Sequence, residues 1–272
     1  MMSDVQKITE DLRTRLNLQT SPPEGALYSF SVLDLTEEES LEAFVQCYTP
    51  LLKALDSKVV ASYFANWFTN VALSLQYSLS IYSSVPDVSL PNLLLYLVPT
   101  ERYCTVTFSL KHVRFLESPA DLNKREEWRS EVLTRFYKDT AAPLMKLISK
   151  TCGLAMGEVW GQMPTKFNYY FELWQNEMED SNQLQNLRDD YDFLMHGLPA
   201  EVFSMSRNPF LVTVRKVESL QDSETSVPLR NRCCLHYRTA GGDYCYNCPR
   251  LKEEERAARR TEYRNSLAKC KN

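Results

Sequence analysis

Leu93-Leu94-Leu95-Tyr96-Leu97-Val98-Pro99-Thr100-Glu101-Arg102-Tyr103-Cys104-Thr105-Val106-Thr107-Phe108-Ser109-Leu110-Lys111-His112 reads as two strands joined by a short turn. Leu93 to Val98 is an unbroken apolar run, and Pro99-Thr100-Glu101-Arg102 breaks it. From Tyr103 to His112 the pattern changes. Cys104, Val106, Phe108 and Leu110 alternate with Thr105, Thr107, Ser109 and Lys111, the period of a strand with one buried face. A hairpin is expected here.

Helical patterns surround the hairpin. Thr36-Glu37-Glu38-Glu39 has the form of a capping box opening a helix through Leu41, Phe44 and Val45. Further helices are expected over Lys124 to Tyr137, Ala141 to Lys150, Met156 to Glu177 and Asn182 to His196, with a strand over Pro209 to Val217. Strands grouped in hairpins between helical runs predict an α+β fold, a mostly antiparallel sheet packed with helices. Val59 to Pro86 is a stretch of 28 residues without a charge, long enough for a membrane span. Its Ser, Thr, Asn and Gln side chains would be costly in lipid, so it reads as a core helix of a soluble protein, leaving only peripheral membrane association open.

With 272 residues, 44% of them hydrophobic, the chain can build one large core, with or without an appendage. The expected division is residues 1–228 as an α+β substrate-binding domain and residues 229–272 as a small metal-stapled segment with a basic tail helix. Residues 230–272 carry a net charge of +6, against −10 for residues 1–229. An acidic chain with no nucleic-acid motif argues against nucleic acid as a partner. Neither a G-x-G-x-x-G after a strand nor a P-loop is present, so bound NAD(P)H or ATP is not indicated. The opening residues Met1 to Lys7 lack a basic-then-apolar leader pattern, and a cytoplasmic location is the expectation.

The densest chemistry lies near the C-terminus. Cys233 and Cys234 are followed by ten residues and then Cys245-Tyr246-Asn247-Cys248, four of the chain's eight cysteines within sixteen residues. Such a run calls for a metal, a disulfide or a redox partner. Stable disulfides are uncommon in a reducing compartment. Zinc suits four thiolates, but structural zinc knuckles use C-x2-4-C pairs, whereas the first pair here is a bare Cys-Cys. Neighbouring side chains in extended backbone point to opposite sides. That favours an Fe2S2 core, with its two irons and four terminal positions, although ligand chemistry alone leaves zinc open. Gly241-Gly242 inside the loop permits close backbone approach, and Pro249 follows the last cysteine.

Arg230-Asn231-Arg232-Cys233-Cys234-Leu235-His236-Tyr237-Arg238, with Cys245-Tyr246-Asn247-Cys248-Pro249, resembles the C-terminal signature of the FhuF-like ferric siderophore reductases. Asn208-Pro209-Phe210, Trp160 and Trp67 are fainter points of likeness. The resemblance implies that Cys233, Cys234, Cys245 and Cys248 ligate a [2Fe–2S] cluster and carry the electron. It implies one-electron reduction of siderophore-bound Fe(III), with the electron supplied by a separate low-potential donor such as a ferredoxin or flavoprotein. The partner would then be an anionic ferric siderophore.

Arg230, Arg232 and Arg238 stand beside the thiolates and are expected to favour the more negative, reduced cluster. Lys111, Arg114 and Arg207 are the candidate chelate contacts. Two other readings stay open: an iron–sulfur electron carrier or iron sensor with no chelate substrate, and a zinc-stapled interaction protein. His236 reads as an exposed or second-shell group, and His112 and His196 as structural residues. Cys47, Cys104 and Cys152 read as core thiols, and Cys270 as exposed and incidental.

Overall fold

The computed structural model of the chain describes residues 4–101 and 103–269. Arg102, in the expected hairpin turn, and Cys270 lie outside the described residues. Helix α1 (Asp4–Leu16) buries Ile8, Leu12 and Leu16, one stripe at four-residue spacing. The two-residue strand β1 (Leu18–Gln19) follows, then β2 (Tyr28–Ser31). Helix α2 (Glu38–Leu51) starts without the expected capping box. Thr36 belongs to a preceding 3-10 turn, and its hydroxyl donates to the Leu33 carbonyl at 2.7 Å, so Glu37 becomes the N-cap without a side-chain hydrogen bond.

The uncharged stretch is the central helix α3 (Ser57–Tyr77), continued by a π-helical turn over Ser78–Tyr82. Asp56 caps it by accepting the Lys58 N–H at 3.0 Å. Buried residues on nearly every side mark α3 as a helix of the interior. Two of its polar groups are accommodated locally: Thr69 and Ser74 donate to the carbonyls four residues back, at 2.8 Å each. Among the described residues no helix is long and apolar enough to cross a membrane.

Strand β3 (Ser84–Pro86) leads to β4 (Leu93–Pro99) and β5 (Cys104–Leu110), the expected hairpin, and then to β6 (Phe115–Glu117). The main sheet runs in the order β1-β5-β4-β2, antiparallel except for the β1–β5 pair. The fold is the α+β class expected, with a mostly antiparallel sheet. Strand β5 is not half-buried, however. Thr107 and Ser109 are as covered as the apolar residues, because β5 lies inside the sheet and Asn17 reaches over to donate to the Thr107 hydroxyl at 3.3 Å. On the other side Phe64 and Phe68 of α3 pack edge-on against Phe108.

Helix α4 (Leu122–Arg135) passes through a π-helical turn at Phe136–Ala141 into α5 (Ala142–Cys152). The long helix expected from Met156 to Glu177 is two helices, α6 (Met156–Trp160) and α7 (Pro164–Glu177). Pro164 has no N–H to continue the ladder, and a side chain at Gly161 would collide with Arg232. Trp160, at the end of α6, is fully buried against Tyr137 and Phe203.

Helix α8 (Ser181–Asp192) follows and ends in a third π-helical turn, Phe193–Gly197. Its Asp190 is fully buried, held by both guanidinium nitrogens of Arg125 at 2.7 and 2.9 Å and by the Ser80 hydroxyl at 2.9 Å.

The strand expected over Pro209 to Val217 is mostly absent. Among the described residues, 209–214 join no ladder; the Arg215 carbonyl accepts the Leu229 N–H at 2.8 Å, and β7 (Lys216–Glu218) pairs with β8 (Ser226–Pro228). What orders that region is Asn208. Its amide donates to the Leu194 and Leu198 carbonyls and its oxygen accepts the Phe210 N–H, so Phe210 plugs into an aromatic group with Tyr137, Phe167 and Phe203. The tail is α9 (Glu253–Lys269), with three glutamates in its positive first turn.

Candidate metal centre

The four clustered cysteines sit on the N-terminal half of α3 and on the α6–α7 break. Cys233, Cys248, Leu235 and Leu251 join the main hydrophobic core. Several elements hold the segment by its backbone. The Ser62 hydroxyl donates to the Cys234 carbonyl at 3.0 Å, and the Gln162 amide donates to the Cys233 carbonyl at 3.2 Å. Thr165 Oγ1 accepts the Asn231 N–H at 2.8 Å, while the Asn231 amide donates to the Gly161 carbonyl at 3.3 Å. The interruption between α6 and α7 is therefore a seat. On the far side, the Leu55 N–H donates to the Arg238 carbonyl at 2.9 Å, and the Ala240 N–H to the Lys53 carbonyl at 2.8 Å. Arg256 of α9 closes the end, donating to the Cys248 and Leu251 carbonyls.

The thiols meet two by two. Cys233 and Cys248 place their Sγ atoms 3.5 Å apart, and Cys234 and Cys245 do the same. Backbone N–H groups are aimed at sulfur: Leu235 at Cys233 and Arg250 at Cys248, both 3.4 Å. To present its N–H this way Leu235 takes a left-handed conformation (φ +62°), unusual for a leucine. Gly241 is also left-handed (φ +74°), and a Cβ on Gly242 would sit 2.1 Å from the His236 carbonyl oxygen. The Gly-Gly pair is thus needed for both reasons glycine offers.

Electrostatics divides the two pairs. Cys234 is drawn down to about 5 by its hydrogen bond with Cys245 and, after the opposing cost of burial, by the Arg230 guanidinium. Cys245, its partner in that bond, is pushed up in turn. Burial pushes the Cys233 thiol up to about 12. Cys245 alone of the four is not fully buried.

Arg230, Arg232 and Arg238 fall into different situations. Arg232 pairs with Glu158 at 3.4 Å, and Arg238 pairs with Asp56. Arg230 makes no ion pair among the described residues, and its buried Nε has no hydrogen-bond partner.

His236 is exposed, and its Nδ1 shares a hydrogen bond with the Tyr63 hydroxyl at 3.0 Å. Burial, then the neighbouring Cys234 and Cys245, push the Tyr63 phenol well above its ordinary range. Next to Cys245, Tyr244 packs on Tyr237 with ring centres 4.6 Å apart, and exposed Arg250 donates to the Tyr237 hydroxyl at 3.0 Å. Tyr63 and Ser62 carry no mark in the sequence. The seat itself had one, in Gly161-Gln162-Met163-Pro164.

Lys111, Arg114 and Arg207 are exposed and have no hydrogen bond or ion pair to the cysteine segment among the described residues. Arg114 borders a cavity of about 530 Å³ that also includes Leu75 and Phe136. Leu75 lies about 20 Å along α3 from Ser62, at 1.5 Å rise per residue. Cys104 and Cys152 are buried, Cys47 only half-buried. His112 lies exposed beyond the end of β5, and His196 stands 3.8 Å from Asp192.

Among the described residues no three His, Cys, Asp or Glu side chains converge on one point as a single ion requires. Two thiol pairs, backbone N–H groups aimed at sulfur and an unpaired arginine fit a two-iron anion. Residues 230–250 match the family model of the FhuF 2Fe-2S C-terminal domain. No curated protein matches the chain. The segment is FhuF-like and its cofactor is a [2Fe–2S] cluster.

Proposed function

We propose that the chain is a ferric siderophore reductase, in which Cys233, Cys234, Cys245 and Cys248 hold the cluster and siderophore-bound Fe(III) is the substrate. A [2Fe–2S] cluster in this position supplies a one-electron relay. The chain's own residues do the rest. Arg230 supplies uncompensated positive charge beside Cys234 and Cys245, favouring the more negative reduced state and attracting an anionic chelate. Burial of Cys233 and Cys248 keeps water from one side, while half-buried Cys245 leaves the other open for close approach. Tyr237, Tyr244 and Arg250 form an aromatic and cationic landing surface beside that opening. Lys111, Arg114 and Arg207, which make no hydrogen bond or ion pair to the cysteine segment among the described residues, would serve only as peripheral contacts.

Siderophore oxygens hold Fe(III) far better than Fe(II), so transfer of one electron loosens the metal. The observation that carries this reading is the combination of an open thiol edge with an unpaired arginine. A separate low-potential protein donor is needed, and a cytoplasmic setting is where one would be met. The position of the 530 Å³ cavity, away from the cysteines, favours one alternative, an electron carrier without a chelate substrate.

Anaerobic purification with iron, sulfide and zinc quantitation tests the first step. Two irons and two sulfides with an S = 1/2 signal after dithionite support the cluster; one zinc and no colour sinks it. Titration with a ferric siderophore and turnover with dithionite as donor separates a reductase from a carrier, which would neither bind nor release the iron.

A further inference from the structure

The ten-residue spacer leaves open which cysteines share an iron. We infer that Cys234 and Cys245 hold one iron and Cys233 and Cys248 the other, and that the electron added on reduction resides on the Cys234–Cys245 iron. The inference rests on the cluster reading above and deepens it.

Two thiolates on one tetrahedral metal at ~2.3 Å stand about 3.8 Å apart. The two 3.5 Å sulfur pairs already stand close to that spacing, and each joins the Cys-Cys step to the C-x2-C turn. The alternation of side chains along the chain explains why neighbours 233 and 234 separate. Cys233 turns inward to Cys248, which is 1% exposed, and its core neighbours include Leu235 and Leu251. Cys234 turns outward to Cys245.

The two sides then differ in how well they hold extra negative charge. Conversion of one Fe(III) to Fe(II) adds a full negative charge to its side of the cluster. Half-buried Cys245 lies on the outer side, and Arg230 is tied by its N–H to the Asn247 carbonyl at 2.9 Å, two residues from Cys245. The Tyr63 hydroxyl, next to Ser62 that holds the Cys234 carbonyl, bonds the His236 ring at 3.0 Å. The inner pair has apolar neighbours and two backbone N–H groups. Unpaired cationic charge and partial solvent access both favour the ferrous ion on the outer side. The electron comes from dithionite or a one-electron protein donor. No metal–thiolate bond is made or broken, and passing the electron to Fe(III) of a chelate returns the outer iron to the ferric state.

The test uses 57Fe-loaded full-length protein reduced with dithionite. Mössbauer spectra of the parent should resolve one ferric and one ferrous doublet. A serine alkoxide disfavours Fe(II), so Cys245→Ser should shift the ferrous doublet or move the electron to the other iron. Cys248→Ser should shift the ferric doublet and leave the ferrous one as in the parent. The reverse pattern overturns the assignment of the electron. Should a serine variant fail to assemble, Arg230→Gln leaves all ligands in place and should change the ferrous doublet alone; a change confined to the ferric doublet overturns it equally.

The pairing has its own readout. Ferricyanide removal of the cluster from the full chain, followed by peptide mapping, should give Cys234–Cys245 and Cys233–Cys248 bridges. Cys233–Cys245 and Cys234–Cys248 bridges would overturn the pairing. Both doublets present without ferric siderophore turnover would sink the reductase reading and leave this inference standing.

Discussion

Ser62, in the buried first half of α3, donates its hydroxyl to the main-chain carbonyl of Cys234 at 3.0 Å. A polar side chain that looks out of place in an apolar helix is thus the peg on which the cluster segment hangs. Removing the donor leaves a buried carbonyl unsatisfied, at a cost of about 1–3 kcal/mol. Ser62→Ala should lower stability by that amount and hasten loss of iron to a chelator, measured by the fall in visible absorbance. Iron retention equal to the parent would show that the segment's other holds, Gln162 and Thr165 among them, fix it without Ser62.

Three arginines flank the thiols, and they should not act alike. Arg232 and Arg238 are each neutralised by a carboxylate, Glu158 and Asp56, whereas Arg230 is not. Arg230→Gln should lower the cluster's reduction potential clearly, and Arg232→Gln and Arg238→Gln should change it little. Redox titration followed by EPR measures all three. Equal shifts would mean that total charge, not pairing, sets the potential.

Gly242 approaches the His236 carbonyl so closely that a Cβ would stand 2.1 Å from its oxygen. Gly242→Ala must push the loop away from the Cys-Cys step, and backbone rather than a pliant side chain has to yield. The expected outcome is a folded protein, with far-ultraviolet circular dichroism unchanged, that retains less than half the parent's iron. Ala at Gly25, where a Cβ meets nothing within 4 Å, is the control, its own strain coming only from a φ of +75°.

The hairpin at 93–110, the uncharged core helix and the cysteine spacing were legible because each rests on a local rule: side-chain period, composition or ligand count. What escaped was set by tertiary partners. The break between α6 and α7 is signalled by Gly161 and Pro164, but periodicity runs across it and masks it. Residues 209–214 have strand composition without a strand to pair with, so packing of Phe210 decides their shape. The three π-helical turns have no sequence signature at all. In the site, the clustering of the four cysteines was readable from spacing. Their meeting as two pairs, and the pairing of Arg232 and Arg238 but not Arg230 with carboxylates, depend on the loop's tertiary fold and on Glu158 and Asp56, which come from distant parts of the chain.

Lys166 places its ammonium between α3 and α7, donating to the Asn66 carbonyl at 3.2 Å and to Asn70 Oδ1 at 2.9 Å, with the Trp67 ring 5.5 Å away. It has no carboxylate partner among these contacts. Burial, and secondarily Arg230, lower its pKa to about 8. A lysine depressed in the folded state binds fewer protons there than in the unfolded chain, so stability rises with pH between about 8 and the unfolded value of about 10.4. The slope contributed by one such group is at most about 1.4 kcal/mol per pH unit. Below pH 8 the charged form persists in both states, and the cost of burying it is present in full. Lys166→Met should therefore stabilise the protein at pH 7 and remove the lysine's share of the rise between pH 8 and 9.5. Buried Cys104 and Cys152, whose thiols are pushed up to about 11 and about 12, lower stability over the same range in both proteins. Urea unfolding at pH 7, 8, 9 and 9.5 is therefore read as the difference between parent and variant, and a difference that does not change with pH would show that Lys166 keeps an ordinary pKa.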